Sequence, residues 1–400
     1  MTPTEDRDVV IAAPVRTPIG RFGGGLSSLG AAAMGAMAGR ESLQRAGVDA
    51  ADLDEVIFGC ARQAGQGPNV ARQVAWRCGT GPGVPAFTVN KACGSGLKAM
   101  ALAAQAIRAG DASLILAGGT ESMSRVPHYV EARWGIRLGD APLVDGMYRD
   151  GFLCPLCHQV MGATAETLAD RYHIPRQEQD AWAAMSQNRA EAARREGRFA
   201  SEIVPVEVEG RKGATEKIVA DEHPRDGVTP EGLAKLPPVF REGGTVHAGN
   251  SSGITDGAAS VLVTTLAQAR RRRVTGPLFR LVGTATAGVE PEIMGIGPVP
   301  AVKKLMQATG TSLTDVDLIE LNEAFAAQVL ACVKDLAIDV NRLNVNGGSI
   351  ALGHPIGASG ARIAVTLLHE MARRSSRLGI ATLCISGGMG IAALFERIET

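Results

Sequence analysis

Apolar residues along the chain follow two rhythms. In the first, short unbroken runs such as ASLILAGG (112–119) and GIATLCISGG (379–388) end on paired glycines. Continuous apolar runs of this length are the mark of strands covered by helices on both faces. In the second, apolar positions recur at helical spacing, as in GLKAMALAAQAIRAG (96–110). The alternation of the two predicts an α/β fold.

The same order of elements occurs twice. DLDEVIFG (52–59) and DVDLIELN (315–322) both run from an acidic start into an apolar strand. FTVNKACGSG (87–96) and LNVNGGSIALGHPIGASG (343–360) each read as a short strand, an asparagine and a glycine-rich helix opening. ASLILAGGTES (112–122) and LGIATLCISGGMG (378–390) are apolar strands that end in Gly-Gly. Internal repetition of this kind predicts a duplicated fold, two similar α/β halves related by a pseudo-twofold axis. Residues 123–250 break the pattern with Gly, Pro and charge, and within them 164–199 predicts two amphipathic helices separated at Pro175. We therefore expect a first half at 1–122 plus 251–275, an inserted loop domain at 123–250, and a second half at 276–400. Long insertions of this sort commonly carry function.

Composition narrows the function. The 400 residues hold 41 Lys+Arg against 41 Asp+Glu, a balance that offers no basic face for nucleic acid or an anionic membrane. Arg270–Arg273 reads as the solvated end of a helix. The polar start MTPTEDRDVVIAAP has no apolar h-region and no long uncharged apolar run follows, so a cytoplasmic protein is expected. Seven scattered cysteines fit a reducing compartment. CPLCH (154–158) matches the C-x-x-C-H of haem attachment, but export is not indicated and no second C-x-x-C completes a zinc site.

Cys93 lies where a strand gives way to a helix, a place where free N–H groups and the helix dipole favour a thiolate. On its own it is either a nucleophile or a small core residue. The duplication sharpens the choice, because glycine-rich turns at the carboxyl ends of strands are where open α/β sheets place their sites. Cys93 and His354 lie on equivalent turns, Cys384 ends a strand, and Asn322 follows another. A pseudo-twofold axis lets these four converge.

These segments, together with RTPIGRFGGGLSSL (16–29), resemble the thiolases over the full length, most specifically in NEAFA (322–326), NVNGGSIALGHPIGASG (344–360) and CISGGMG (384–390). The resemblance implies the thiolase-type fold and CoA-dependent cleavage of a 3-oxoacyl-CoA through an acyl-cysteine. It implies Cys93 as nucleophile, His354 as its activator and part of a first oxyanion hole, and Asn322 holding a water that completes that hole. Cys384 is then the acid/base, its thiol tuned towards pKa 7–8, and the N–H groups of Cys93 and Ser386 form a second hole. Arg225 is expected by the adenine, Ala248 and Ser252 along the pantetheine, and Phe325 and Met161 at the acyl pocket. No metal, flavin or nucleotide cofactor is implied, since coenzyme A is a substrate; the partners are CoA and acyl-CoA thioesters, and a homotetramer or homodimer is expected. Two positions depart from the family pattern. Ser386 replaces a common glycine and is strained if the backbone there needs positive φ. Val160 stands where short-chain members carry histidine, with His158 two residues earlier as a substitute or a plain loop residue. The rivals are a decarboxylating condensing enzyme that uses two histidines, and a catalytically silent acyl-CoA carrier.

Overall fold

The computed structural model describes residues 8–210 and 214–398. The first half contains β1 (Val9–Arg16), α1 (Ala31–Ala46), β2 (Glu55–Gly59), α2 (Val70–Cys78), β3 (Ala86–Val89), α3 (Ser95–Ala109), β4 (Leu114–Ser122) and β5 (Thr255–Thr265). The second contains β6 (Leu278–Gly288), α4 (Pro298–Thr309), β7 (Leu318–Leu321), α5 (Ala326–Leu336), α6 (Ile356–Arg374), β8 (Leu378–Ile385) and β9 (Met389–Ile398).

The strands hydrogen-bond in the order β7-β8-β9-β6-β1-β5-β4-β2-β3. Counted outward from the β1/β6 junction, the two arms match. In each arm two antiparallel pairings are followed by a parallel one: β1/β5, β5/β4 and β4/β2 against β6/β9, β9/β8 and β8/β7. The junction itself is antiparallel, with Val10 opposite Arg280 and Ile11 opposite Phe279, as a twofold relation requires. The paired sequence segments take equivalent places, as β2 with β7 and β4 with β8.

One expectation fails. No strand forms at the start of LNVNGG; Leu343 makes only a single parallel bridge to Ile319. Asn344 adopts φ +46, and its side chain accepts from the Leu321 N–H at 2.9 Å and donates to the Leu321 carbonyl at 2.8 Å. The amide side chain takes the edge bonds that a continued strand would have made, and the backbone turns away.

Alternate residues of β4 serve different cores. Ile115 and Ala117 pack with α3 and α6, whereas Leu114 and Leu116 pack with α1 and α2. The core around α3 and α6 also receives Ala381, Leu383 and Ile385 of β8, so this helix pair lies between the two arms. The helices cross with backbones in contact: a Cβ at Gly96 would stand 2.7 Å from the Ala361 nitrogen, and one at Gly360 2.5 Å from that of Leu97. Only glycine allows that approach, and it draws the openings of the two helices together.

The insertion holds the helices Met161–Arg171 and Arg176–Arg195, with Pro175 capping the second. Buried charge fastens it down. Arg16 of β1 pairs with Glu202 and Asp221, each at 2.6 Å. Glu323 accepts from Trp182 Nε1 at 3.0 Å and Ser186 Oγ at 2.6 Å on the second inserted helix. It also accepts from the Ile350 N–H at 3.1 Å, holding the glycine-rich turn before α6.

Candidate active site

Cys93 sits between β3 and α3, on a turn whose preceding residue, Ala92, has φ +43. A left-handed non-glycine residue costs about 1–2 kcal/mol. Three bonds offset it: Asn90 Oδ1 accepts from the Ala92 N–H at 3.0 Å, and Ser95 Oγ accepts from the Lys91 N–H at 2.8 Å and donates to the Ala92 carbonyl at 2.7 Å. The backbone N–H groups of Ser386 and of Cys93 itself lie near the Cys93 sulfur and favour its charged form. Burial nevertheless outweighs these groups and the nearby Arg62, and pushes the thiol above its ordinary value. The expected standing thiolate is therefore corrected: the resting group is a thiol that needs a base.

Ser386 lies on the turn between β8 and β9. The left-handed residues of that turn are Gly387 (φ +85) and Gly388 (φ +84), while Ser386 is not among the positive-φ residues. The strain considered for a serine there does not arise. Cys384, fully buried in β8, is pushed well above its ordinary value by burial and by Cys93. This corrects the expected tuning towards neutrality and makes Cys384 a firmly protonated thiol.

His354 precedes α6, with its N–H on the Gly253 carbonyl at 3.1 Å. Its Nδ1 lies 2.5 Å from Ser359 Oγ, which donates its one hydrogen to the Pro355 carbonyl at 2.9 Å. A carbonyl only accepts, so Ser359 must accept from Nδ1–H and the Nε2 lone pair is left bare. Burial first, then Arg362 and Arg62, lower the imidazole pKa to about 3. A neutral base of fixed tautomer results. Asn322 follows β7, its N–H bonded to the Thr382 carbonyl at 3.0 Å, which sets it beside the strand of Cys384. Its Oδ1 accepts from Ser349 Oγ at 2.6 Å, and its buried Nδ2 has no partner among the described residues.

An apolar cluster packs against Cys384. Cys384 shares one cluster with Phe325, Met161, Met294, Val246 and Phe240, the last edge-on to Phe325 at 6.1 Å between ring centres. Val160 caps the helix that Met161 begins.

Family models for the thiolase N-terminal and C-terminal domains match residues 9–267 and 275–397. The chain belongs to the thiolase family. It is 52% identical over 392 residues to the acetyl-CoA acetyltransferase of Pseudomonas aeruginosa, covering 98% of this chain and 100% of that one. The acetyl-CoA acetyltransferase structure of Bacillus anthracis superposes with a TM-score of 0.95 at 42% identity, covering 98% of this chain and 99% of that one. Human mitochondrial 3-ketoacyl-CoA thiolase does so at 0.94 and 40%, covering 98% and 100%. This thiolase is accordingly an acyltransferase.

The residues expected to hold coenzyme A are spread wider than the four polar groups. Arg225 and Ala248 are exposed, and Arg225 donates its backbone N–H to Gln187 Oε1 at 2.9 Å. Ser252 is half-buried, its N–H on the Ala324 carbonyl at 3.0 Å. His158 is exposed at φ +55 on the hairpin formed by Leu153–Cys154 and Gln159–Val160, the plain loop residue of the two alternatives. The thiol of Cys154 in that hairpin lies near the Gly387 N–H, which places CPLCH beside the turn that carries Ser386.

Two charged residues of this thiolase escape a reading of the sequence. Glu121 is fully buried and accepts from the N–H groups of Ala61 (3.1 Å), Arg62 (2.9 Å) and Gly357 (2.7 Å), tying the turn after β2 to the opening of α6. Arg62, itself buried, bonds the Gly151 carbonyl at 2.9 Å and extends its field to Cys93 and His354. The only sequence signal was an acid closing an apolar strand, in AGGTES.

Proposed function

We propose that this thiolase cleaves 3-oxoacyl-CoA thioesters with free coenzyme A, giving acetyl-CoA and a shortened acyl-CoA, and runs the reverse Claisen condensation. His354 Nε2 takes the Cys93 proton and the sulfur adds to the 3-oxo carbon. The C2–C3 bond then breaks: its electron pair leaves as the enolate of acetyl-CoA, and Cys384 protonates the carbon. Incoming CoA gives its thiol proton to Cys384 and attacks acyl-Cys93, which releases the shortened thioester; the Cys93 thiolate set free takes its proton back from His354. Cysteine suits the first role because it is a soft nucleophile that forms a thioester. The N–H groups of Cys93 and Ser386 stabilise oxygen charge during acyl transfer; protonated His354 and a water held by the Asn322 amide do so for the enolate.

The observation that carries this reading is the meeting of two thiols, one from each half, the half-buried Cys93 and the fully buried Cys384, with the Ser386 N–H near the sulfur of Cys93. Burial keeps both protonated at rest, which is what a base-activated nucleophile and a carbon acid require. Phe325 and Met161 line the acyl pocket; Ser252, Ala248 and Arg225 mark the path of pantetheine and adenine. Each step is redox-neutral and proceeds without metal or flavin. No helix among the described residues is long and apolar enough to cross a membrane; a cytoplasmic homotetramer or homodimer completes the proposal. A panel of 3-oxoacyl-CoA thioesters tests it: CoA-dependent cleavage of at least one chain length is expected, and failure with all of them, as a silent carrier would show, overturns it.

A further inference from the structure

Arg362 lies inside the protein on α6, with 1% of its surface exposed. Its Nε and Nη1 make no hydrogen bond among the described residues. The carboxylate facing it, Glu320, stands 3.9 Å from Nη1, and Glu320 Oε2 is also without a hydrogen-bond partner. Burial pushes the Glu320 carboxyl up to about 8 in spite of Arg362. Burying a cation with so little compensation is costly, and this loose ion pair does not account for it.

The one hydrogen bond that Arg362 makes among the described residues leads towards Asn322. Nη2 donates to Ser349 Oγ at 2.5 Å, and Ser349 donates to Asn322 Oδ1 at 2.6 Å. A guanidinium can only donate, so Ser349 must accept from it and has its single hydrogen left for Asn322. That hydrogen needs an acceptor, which turns the oxygen edge of the amide towards Ser349 and the NH₂ edge away. The chain of donors has one direction, and it ends at the buried Nδ2 that no described residue engages.

We infer that Arg362 and Ser349 are positioning residues, a relay that fixes which edge of the Asn322 amide faces the reaction. It presents N–H donors on the side where the enolate oxygen forms. The inference rests on the thiolase reading above. It also separates two steps: the relay serves cleavage of the C–C bond, whereas acylation of Cys93 by acetyl-CoA uses the N–H groups of Cys93 and Ser386.

The test uses the full chain with Ser349→Ala, Ser349→Thr and Arg362→Gln. Two rates are measured on each: acetylation of Cys93 by acetyl-CoA, and CoA-dependent cleavage of acetoacetyl-CoA at saturating substrate. For Ser349→Ala the cleavage kcat should fall about 10- to 100-fold, short of the loss on deleting a donor outright, with KM and Cys93 acetylation near parental. Ser349→Thr keeps the hydroxyl and should restore most of the rate. Arg362→Gln on top of Ser349→Ala should add little, as expected of residues in one chain. The relay is refuted if both rates stay parental, if both fall in proportion, or if the threonine variant is folded yet as slow as alanine. Should Ser349→Ala not fold, the threonine and Arg362→Gln variants decide by the same ratio of rates. A parent protein that acetylates Cys93 but cleaves no 3-oxoacyl-CoA would fail the thiolase reading itself; a parent that cleaves while the variant ratios do not move fails the relay alone.

Discussion

The backbone N–H of Ser386 lies near the sulfur of Cys93 and favours its charged form. One residue comes from each half of the duplicated fold, so this meeting spans the pseudo-twofold axis. Because Ser386 is not left-handed and contributes only its N–H, Ser386→Gly should acetylate at close to the parental rate. Gly388→Ala should not: the residue is at φ +84 and its new Cβ would fall 2.2 Å from the Val289 carbonyl oxygen. Displacing one oxyanion donor costs about 10²–10³ in rate, and quenched-flow mass spectrometry with acetyl-CoA measures both variants.

His354 is lowered from 6.5 to about 3, chiefly by burial. It remains a neutral base throughout pH 5–8, so kcat/KM should show no limb near 6.5. The effect on stability has a definite sign. Below pH 6.5 the unfolded chain takes up a proton that the folded imidazole refuses, so stability is complete above 6.5 and declines as pH falls towards 3. One such proton amounts to at most about 1.4 kcal/mol per pH unit. Burial lowers His223, His247 and His369 as well, and these act in the same direction. Urea unfolding at pH 7 and pH 5 should show a lower midpoint at pH 5, and His354→Asn should reduce the difference.

The features legible in the sequence were those carried by short contiguous segments. Cys93, His354, Cys384 and Asn322 each stand in a local motif, and the repeated order of strands and glycine turns foretold the matching arms of the sheet. Features built between segments were not legible. Glu121 joins residues 61, 62 and 357, and the Arg362–Ser349–Asn322 chain crosses from α6 to β7; neither has a local pattern. The thiol acidities were misjudged for a related reason. A helix opening is visible in a sequence, but the desolvation that outweighs it at Cys93 comes from packing by both halves and the insertion.

Val160 caps the helix that carries Met161 into the apolar cluster with Cys384 and Phe325. A histidine at this position adds a polar group beside that cluster, so Val160→His should raise use of acetoacetyl-CoA relative to longer 3-oxoacyl-CoAs. The ratio of kcat/KM values across chain lengths is the readout, and an unchanged ratio counts against the pocket as described.

Cys384 is fully buried and held protonated, which fits an acid for carbon and not a second nucleophile. Cys384→Ala should still acetylate Cys93, since His354 removes that proton, while turnover falls by about 10²–10⁴ or more. Steady-state rates set against single-turnover acetylation will separate the two.

The central claim is that Cys93 carries the acyl group. Brief exposure of the parent protein to acetyl-CoA, followed by acid quench and peptide mass spectrometry, should find one acetyl group on the peptide containing Cys93, and none in Cys93→Ala. An acetyl group on Cys384 with Cys93 unmodified would contradict the account.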